Sequence, residues 1–265
     1  MIFRAGVMRI LAVFLVLFAP VLAWADQGTV IAVEQPARVQ SDEGLVTLAL
    51  GDTVTGGDIV ATGQGGSVQL LFPDETRVVV GPSSQLKVRD LLYRNNNTAR
   101  RFRIDAVAGT FRLLTGTSPR RAFQVRTPTA TMAVRGTEFD FAVERETRKT
   151  SLLVHDGAVR FCSIDGRCAV IPRGCQLAQL DRALRFSQPR TNEDRLEILR
   201  ALFPYAQSDA ALEPLFRAFI EDCNDDKDRA SAPVVALYQV DLPQNTAPDR
   251  SDPPEPPTGP VNPAE

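Results

Sequence analysis

Apolar and polar residues alternate with a period of two over most of residues 27–180. The stretch SVQLLFPDETRVVV shows the pattern well, with Val68 and Leu70 on one side, a turn at Pro73–Glu75, and renewed alternation from Val78. Such alternation, interrupted by glycine about every 8 to 12 residues, is typical of short strands. We therefore predict an all-β domain at residues 26–185, of roughly a dozen strands. The pattern fits either a twisted β-sandwich or a short β-solenoid.

Three local sequences predict how strands are connected. Gly56-Gly57 stands at the tip of one turn, and Tyr93 to Arg101 reads as a polar loop within the domain. In LLVHDGAVRF, Asp156-Gly157 predicts a two-residue hairpin loop, because glycine accepts the positive φ that such loops require.

The periodicity changes after Leu180 and predicts two short amphipathic helices in an extension at residues 186–232. Thr191 is a favourable N-cap for a helix whose Leu196 and Phe203 share one face. A second helix is predicted in EPLFRAFIEDC, with Pro214 in its first turn. These helices either pack on the sheet or dock a partner protein. Residues 233–265 are predicted to be a disordered, proline-rich tail.

The N-terminal segment predicts export from the cytoplasm. Arg4 and Arg9 precede an apolar run from Ile10 to Phe18, and small residues follow up to Ala25. This is the pattern of a signal peptide at residues 1–25, cut after Ala25. The alternative, a membrane anchor, is disfavoured because a spanning helix needs about 20 apolar residues. We expect a periplasmic or secreted mature chain without a transmembrane segment.

The four cysteines predict two disulfides, as is usual for an even number in an exported chain. A metal site is disfavoured, because the spacing contains no Cys-x-x-Cys and His155 is the only histidine. Three connectivities are open. A three-residue turn at Ile164–Gly166 would set two cysteines opposite each other, whereas a two-residue turn would put them out of register. We favour the first, which gives the pairs Cys162–Cys168 and Cys175–Cys223.

Charge is distributed unevenly along the chain. Nine arginines and one acid lie between residues 94 and 135, whereas six bases and fifteen acids follow residue 190. Guanidinium groups recognise phosphate and carboxylate, so a candidate patch for an anionic envelope polymer or lipid headgroup comprises Arg94, Arg100, Arg101, Arg103, Arg120 and Arg121. The alternative is neutralisation by the acidic helices. Nucleic acid is disfavoured, because the chain is exported and lacks basic residues interleaved with aromatics.

The stretch TPTATMAVRGTEFDFAV contains the most distinctive pattern. Phe139, Phe141 and Val143 predict the inner face of a strand, which leaves Glu138 and Asp140 outward and solvated. Threonines suit a pleated surface, and Gly136 predicts a turn or a close backbone approach. We expect no catalysis by the two acids, and we place His155 in solvent at a strand end. We therefore expect no enzyme activity and no cofactor.

This stretch resembles the signature of the FecR domain family. The resembling positions are Thr127, Pro128, Thr129, Ala130, Arg135, Gly136, Thr137, Glu138 and Phe139. The upstream segment LALGDTVTGGDIVATG and the later LLVHDGAVRF are similar to other parts of the same domain, in the family order. The resemblance implies an all-β domain without catalytic residues that acts in envelope sensing, and hence an envelope protein as partner. Fewer than ten residues precede the apolar run, so the cytoplasmic anti-sigma segment of the founding regulator is not expected here.

Overall fold

The computed structural model describes residues 26–94, 96–218 and 223, and the backbone of a strand at 235–239. The predicted signal peptide and residues 240–265 of the predicted tail lie outside these ranges. The helices are α1 Asn192–Leu202 and α2 Pro204–Gln207. The strands are β1 Gln27–Glu34, β2 Ala37–Ser41, β3 Gly44–Thr47, β4 Thr53–Thr55, β5 Ile59–Thr62, β6 Ser67–Leu71, β7 Arg77–Val80, β8 Gln85–Tyr93, β9 Ala99–Leu114, β10 Phe123–Arg126, β11 Ala130–Val143, β12 Thr150–Ser163, β13 Arg167–Pro172, β14 Gln176–Leu180, β15 Phe186–Ser187 and β16 Val235–Gln239. Neither helix is long and apolar enough to cross a membrane.

The strands form one continuous sheet that is bent into two layers. The long strands β9, β11 and β12 pass through both layers, because their two halves pair with different neighbours. The first layer runs β4-β1-β6-β7-β9-β11-β12-β14-β15, and the second runs β3-β2-β5-β8-β9-β10-β11-β12-β13-β16. One apolar core contains side chains from both layers. The all-β prediction is confirmed, and this arrangement is a twisted sandwich.

Aromatic side chains fill the core between the layers. Phe111 stacks on Phe141 with ring centroids 5.0 Å apart, and Phe72 meets Phe102 edge-on at 4.8 Å. Because Phe72 follows β6 of the first layer and Phe102 lies on β9 of the second, their contact joins the layers. The predicted inward face of β11 is confirmed, since Phe139, Phe141 and Val143 are buried there.

The hairpin predicted at Asp156-Gly157 is wrong. A bulge between β11 and β12 lies at this position instead. Strand β12 continues through this dipeptide and pairs with β11 on both sides of a register shift. Gly136 and Gly157 both have positive φ, and a Cβ on Gly157 would collide with the carbonyl oxygen of Gly136. The positive φ that suggested a hairpin loop serves instead to let two strands bend together from one layer to the other.

Other predicted connections are confirmed or shortened. The turn at Pro73–Glu75 is present, with Glu75 at φ 67° donating its N–H to the carbonyl of Phe72. The turn at Gly56-Gly57 joins β4 to β5. The loop predicted from Tyr93 to Arg101 is too long, because β9 begins at Ala99 and Arg101 pairs with Leu92 of β8.

The first predicted helix is confirmed as α1. Thr191 is its N-cap, and a capping box links the Thr191 and Asp194 side chains and backbones. A second short helix is also present, but it is α2 at Pro204–Gln207 and not the predicted segment EPLFRAFIEDC. The segment that begins at Glu213 forms only a three-residue 3-10 turn, and its predicted continuation at 219–222 lies outside the described residues. The turn ends at Arg217, whose backbone is extended and whose Nε donates a hydrogen bond to the carbonyl of Leu212.

Part of the predicted disordered tail is a strand. Val235–Gln239 pairs antiparallel with β13, so the tail prediction is wrong for these five residues. The sequence VALYQ includes residues of high strand propensity, and β13 offers it a sheet edge.

Candidate functional site

The outer surface of the first layer lies beneath residues 191–216, and we call it the covered face. A cross-strand row runs through six successive strands here, in the order Gln69, Val79, Arg112, Asp140, Leu153 and Leu177. All six side chains are buried. Leu199 and Phe203 pack on the β12 and β14 side of the row, and Tyr205 and Phe216 pack over Val79. The helical extension is therefore part of the fold.

Arg112 and Asp140 form a fully buried ion pair at the centre of this row. Arg112 Nε lies 2.7 Å from Asp140 Oδ1, and Arg112 Nη2 lies 2.9 Å from Oδ2. Nη2 also donates to the carbonyl of Tyr205 at 2.9 Å. Burial alone would raise the pKa of Asp140, but the Arg112 guanidinium and His155 hold it well below its usual range. The prediction of a solvated Asp140 is wrong, because the extension covers this face.

His155 extends the buried polar cluster towards a disulfide. Its Nε2 lies 3.1 Å from Asp140 Oδ2, and its Nδ1 lies 3.7 Å from the sulfur of Cys223. The side chain is completely buried, so its predicted solvent exposure is also wrong. The reason is the continuous β12, in which His155 lies mid-strand next to the bulge, on the same surface as Leu153.

The cysteines pair as Cys162–Cys168 and Cys175–Cys223, the connectivity favoured from the sequence. Gly166 has φ 92° in the turn that sets the first pair directly opposite across β12 and β13. The second pair ties the segment before β14 to the end of the described extension. Beside it the buried Arg195 of α1 donates to the carbonyls of Cys223, at 2.6 Å, and Cys175, at 3.1 Å.

Several of the signature residues make hydrogen bonds that connect neighbouring segments of the sheet. The hydroxyl of Thr150 lies 2.7 Å from that of Thr127 and 2.8 Å from that of Thr129, and Ala130 donates its N–H to Thr127 Oγ1. Thr137 is buried and donates its N–H to Thr115 Oγ1 at 2.8 Å. The first group of contacts organises the backbone just before β11, and the Thr137 contact organises it where β11 changes layers, which is a structural use of the pattern.

The outer surface of the second layer, here called the open face, carries the arginines of the candidate patch. Arg101 and Arg103 point outward from β9, and the parallel pairing of β10 with β9 adds Arg126 to the same surface. Arg120 and Arg121 lie in a 3-10 turn just before β10, and Arg94 lies in the turn between β8 and β9. All six patch arginines are exposed. The fold thus places Arg94 and Arg121, which are 27 positions apart in the sequence, at the same end of the second layer.

The patch is only partly neutralised within the described chain. Asp90 lies 3.0 Å from Arg101 and 3.9 Å from Arg103, and Asp105 pairs with Arg89. Among the described residues, no carboxylate lies within ion-pair distance of Arg94, Arg100, Arg120 or Arg121. The described acidic helices pack on the covered face instead. Neutralisation by these helices, the alternative considered from the sequence, is thus not seen.

An exposed apolar edge lies at the β2–β3 hairpin. Among the described strands, β3 pairs only with β2, and residues Leu45, Val46 and Leu50 are 62%, 54% and 71% exposed. A neighbouring open cleft of about 500 Å³ contains several acids. Two of them bind turn backbone, since Asp52 accepts from the Ala49 N–H and Asp58 accepts from the Thr55 N–H.

Comparison with known proteins agrees with the domain found in the sequence. Residues 58–160 match the family model described as FecR protein. Two crystal structures of a proposed anti-sigma factor from Parabacteroides distasonis, at 1.65 and 2.50 Å resolution, each share 16% identity and a TM-score of 0.40 with the chain. Each match covers 49% of this chain and 57% of the other, so the chain spans little more than half the length of those structures. No curated protein matches the chain. The FecR match runs from the residue before strand β5 into the second half of strand β12.

Proposed function

We propose that the protein is an exported, non-catalytic FecR-domain module that binds an envelope protein in signalling or assembly. The FecR match supports a role in sensing, and the two cysteine pairs are consistent with a domain outside the cytoplasm. The segment at residues 1–25 has the features of a signal peptide, which supports the periplasm or the exterior as the location.

The exposed edge of β3 is the observation that carries this proposal. Of the two routes considered for a partner, the helical extension is occupied by its own sheet, whereas β3 has an edge without a strand partner in the described chain. An edge strand presents backbone N–H and C=O groups to an extended segment of another protein, and its side chains add specificity. Leu45 and Val46 supply apolar contact area there.

Site-specific cross-linking tests this assignment. A photoreactive residue placed at Val46 in the mature chain, 26–265, should capture a defined protein in intact cell envelopes. The matched control is the same residue at Glu146, an exposed position in the β11–β12 turn. Capture from Val46 but not from Glu146 supports the edge. Equal capture from both positions, or none from Val46, contradicts it.

A second candidate function is supported by the open face. The six exposed patch arginines, four of which have no carboxylate partner in the described chain, can bind phosphate or carboxylate groups of an anionic envelope polymer or lipid headgroup. Such binding should weaken steeply as salt is added, because exposed charges are screened.

Charge reversal distinguishes the second candidate from a nonspecific effect of charge. Changing Arg100, Arg101 and Arg103 to Glu should abolish binding to anionic lipid vesicles or an anionic glycan. The control changes Arg148, Arg182 and Arg190 to Glu, which alters net charge equally at exposed positions elsewhere. Unaltered binding in the first variant, or equal loss in both, would remove the candidate.

A further inference from the structure

The buried disulfide Cys175–Cys223 has a histidine beside it. The possible ligand atoms of His155, Cys175 and Cys223 all lie within 4.8 Å of one another, and all three residues are buried. The sequence does not suggest this group, because His155 precedes Cys175 by twenty residues and Cys223 by sixty-eight. The antiparallel pairing of β12 with β14 and the path of the extension bring the three together.

The histidine is held in an orientation that suits a ligand. Its Nε2 lies 3.1 Å from Asp140 Oδ2, while Nδ1 points towards the sulfur of Cys223 at 3.7 Å. In the tautomer with its proton on Nε2, the ring has the Nδ1 lone pair on the side of the sulfur and the carboxylate of Asp140 on the other side. A carboxylate behind the non-ligating nitrogen is the usual partner of a metal-bound histidine. Asp140 is in turn fixed by two contacts to Arg112.

The backbone of both cysteines is held by contacts other than the disulfide. Arg195 donates to the carbonyls of Cys175 and Cys223, and Leu199, Phe203 and Leu177 pack around the pair. The two sulfurs can therefore stay close to each other and to His155 after the bond between them is broken.

We propose that reduction of Cys175–Cys223 creates a buried site for a soft monovalent metal ion, Cu(I), with two thiolates and the Nδ1 of His155 as ligands. A dithiol reductant supplies the two electrons: the S–S bond breaks, two thiols form, and the reductant becomes a disulfide. Binding of the ion then releases the two thiol protons to solvent. The oxidised protein has no thiolate to offer and does not bind it.

The ligand set favours Cu(I) over zinc. Thiolates select soft ions, whereas structural zinc is almost always bound by four ligands. Within the described residues no fourth ligand completes the group, because the oxygens of Asp140 face Arg112 and His155. The charge also fits, since two thiolates and one Cu(I) leave a single negative charge close to the buried guanidinium of Arg195.

Anaerobic titration of the mature chain tests the proposal. The protein is reduced with dithiothreitol, desalted, and titrated with Cu(I) against a chromophoric Cu(I) chelator, with the oxidised protein in parallel. We expect one ion per chain after reduction and none before. Cys175→Ser/Cys223→Ser should lose the ion, whereas the matched control Cys162→Ser/Cys168→Ser should keep it. His155→Gln should weaken binding at least 10-fold, and Asp140→Asn by about 10-fold or more.

Thermal melting separates a folded site from thiols in an unfolded chain. Cu(I) should raise the Tm of the reduced wild type and of the Cys162→Ser/Cys168→Ser variant, but not that of His155→Gln. Stoichiometric binding without a rise in Tm would place the ion on unfolded chain and overturn the proposal. So would absence of binding by a reduced protein with native circular dichroism, or affinity unaffected by His155→Gln.

Discussion

Arginine side chains lie in opposite environments on the two outer faces of the sandwich. On the open face, Arg101 and Arg103 alternate with core residues of β9 and stay in solvent. On the covered face, Arg112 lies on the same strand between the core residues Phe111 and Leu113, yet it is completely buried. The strand pattern determines which residues point away from the core. A distant segment of the chain determines which of those residues remain in water.

The difference in burial between the two faces should change how much each arginine–carboxylate pair contributes to stability. Asp140 and Asp90 each pair with arginine across neighbouring strands, but Asp140 is buried whereas the Asp90 side chain is 28% exposed. Loss of one partner from a buried pair leaves an uncompensated charge in a poorly solvated site. Loss of one partner from an exposed pair leaves a charge that water solvates.

The largest expected effect follows from Asp140→Asn. Arg112 would stay buried without its two-contact partner and would keep only the partly exposed carboxylate of Asp209, 3.7 Å from Nη1. We therefore expect the free energy of unfolding to fall by about 3–5 kcal/mol. Guanidinium unfolding of the oxidised protein measures this change, and Asp90→Asn should change stability by less than about 1 kcal/mol. Arg112→Met/Asp140→Leu should recover most of the loss, because it removes both charges. Equal effects at Asp140 and Asp90 would contradict the comparison.

The limits of sequence-based prediction follow from the same two faces. Alternation and turn residues are sufficient for the all-β class, the inner face of β11, the cap of α1 and the Cys162–Cys168 pair, because these depend on local geometry. Cys175–Cys223 follows only as the pair that remains. Burial of Asp140 and His155 was missed, because it depends on residues some 50 to 80 positions later. One signal was available: the extension has apolar residues on one face, and a helix of this kind must cover some surface.

The second prediction concerns the covalent attachment of the helical extension to the sheet by Cys175–Cys223. Cys175–Cys223 closes a loop with a sequence separation of 48, whereas Cys162–Cys168 closes one of 6 within a single hairpin. A longer loop removes more entropy from the unfolded chain, so we expect Cys175→Ser/Cys223→Ser to cost about 4 kcal/mol and Cys162→Ser/Cys168→Ser about 2 kcal/mol. Unfolding midpoints in guanidinium measure both. The reverse order would mean that the extension is held mainly by its side-chain contacts.

The third prediction uses pH to probe the covered face. The folded-state pKa of Asp140 is depressed, so its contribution is present above the unfolded value near 3.9 and is lost as pH falls through the lower folded value. His155, Arg112, Asp209 and Tyr205 surround it, and burial raises the pKa of Tyr205 to about 12, which keeps that group neutral at acidic pH. The stability gap between wild type and Asp140→Asn should therefore narrow as pH falls below about 4.

Unfolding curves for both proteins at pH 7, 5, 4 and 3 measure this gap. Asp90→Asn is the control, because a small gap at every pH is expected for an exposed pair. A gap for Asp140→Asn that stays unchanged down to pH 3 would show that Arg112 does not depress the pKa of Asp140 as its two contacts imply.

The smallest expected effect lies on the open face and determines whether its arginines are available to a ligand. A double-mutant cycle of Arg101→Ala and Asp90→Ala should give a coupling energy of about 0.2–1 kcal/mol, because the pair is exposed. Added salt should reduce it further. An arginine held this weakly can exchange Asp90 for an external phosphate or carboxylate at little cost. A coupling above about 2 kcal/mol would instead place Arg101 in an organised network like that of Arg112, and the open face would then be a structural surface.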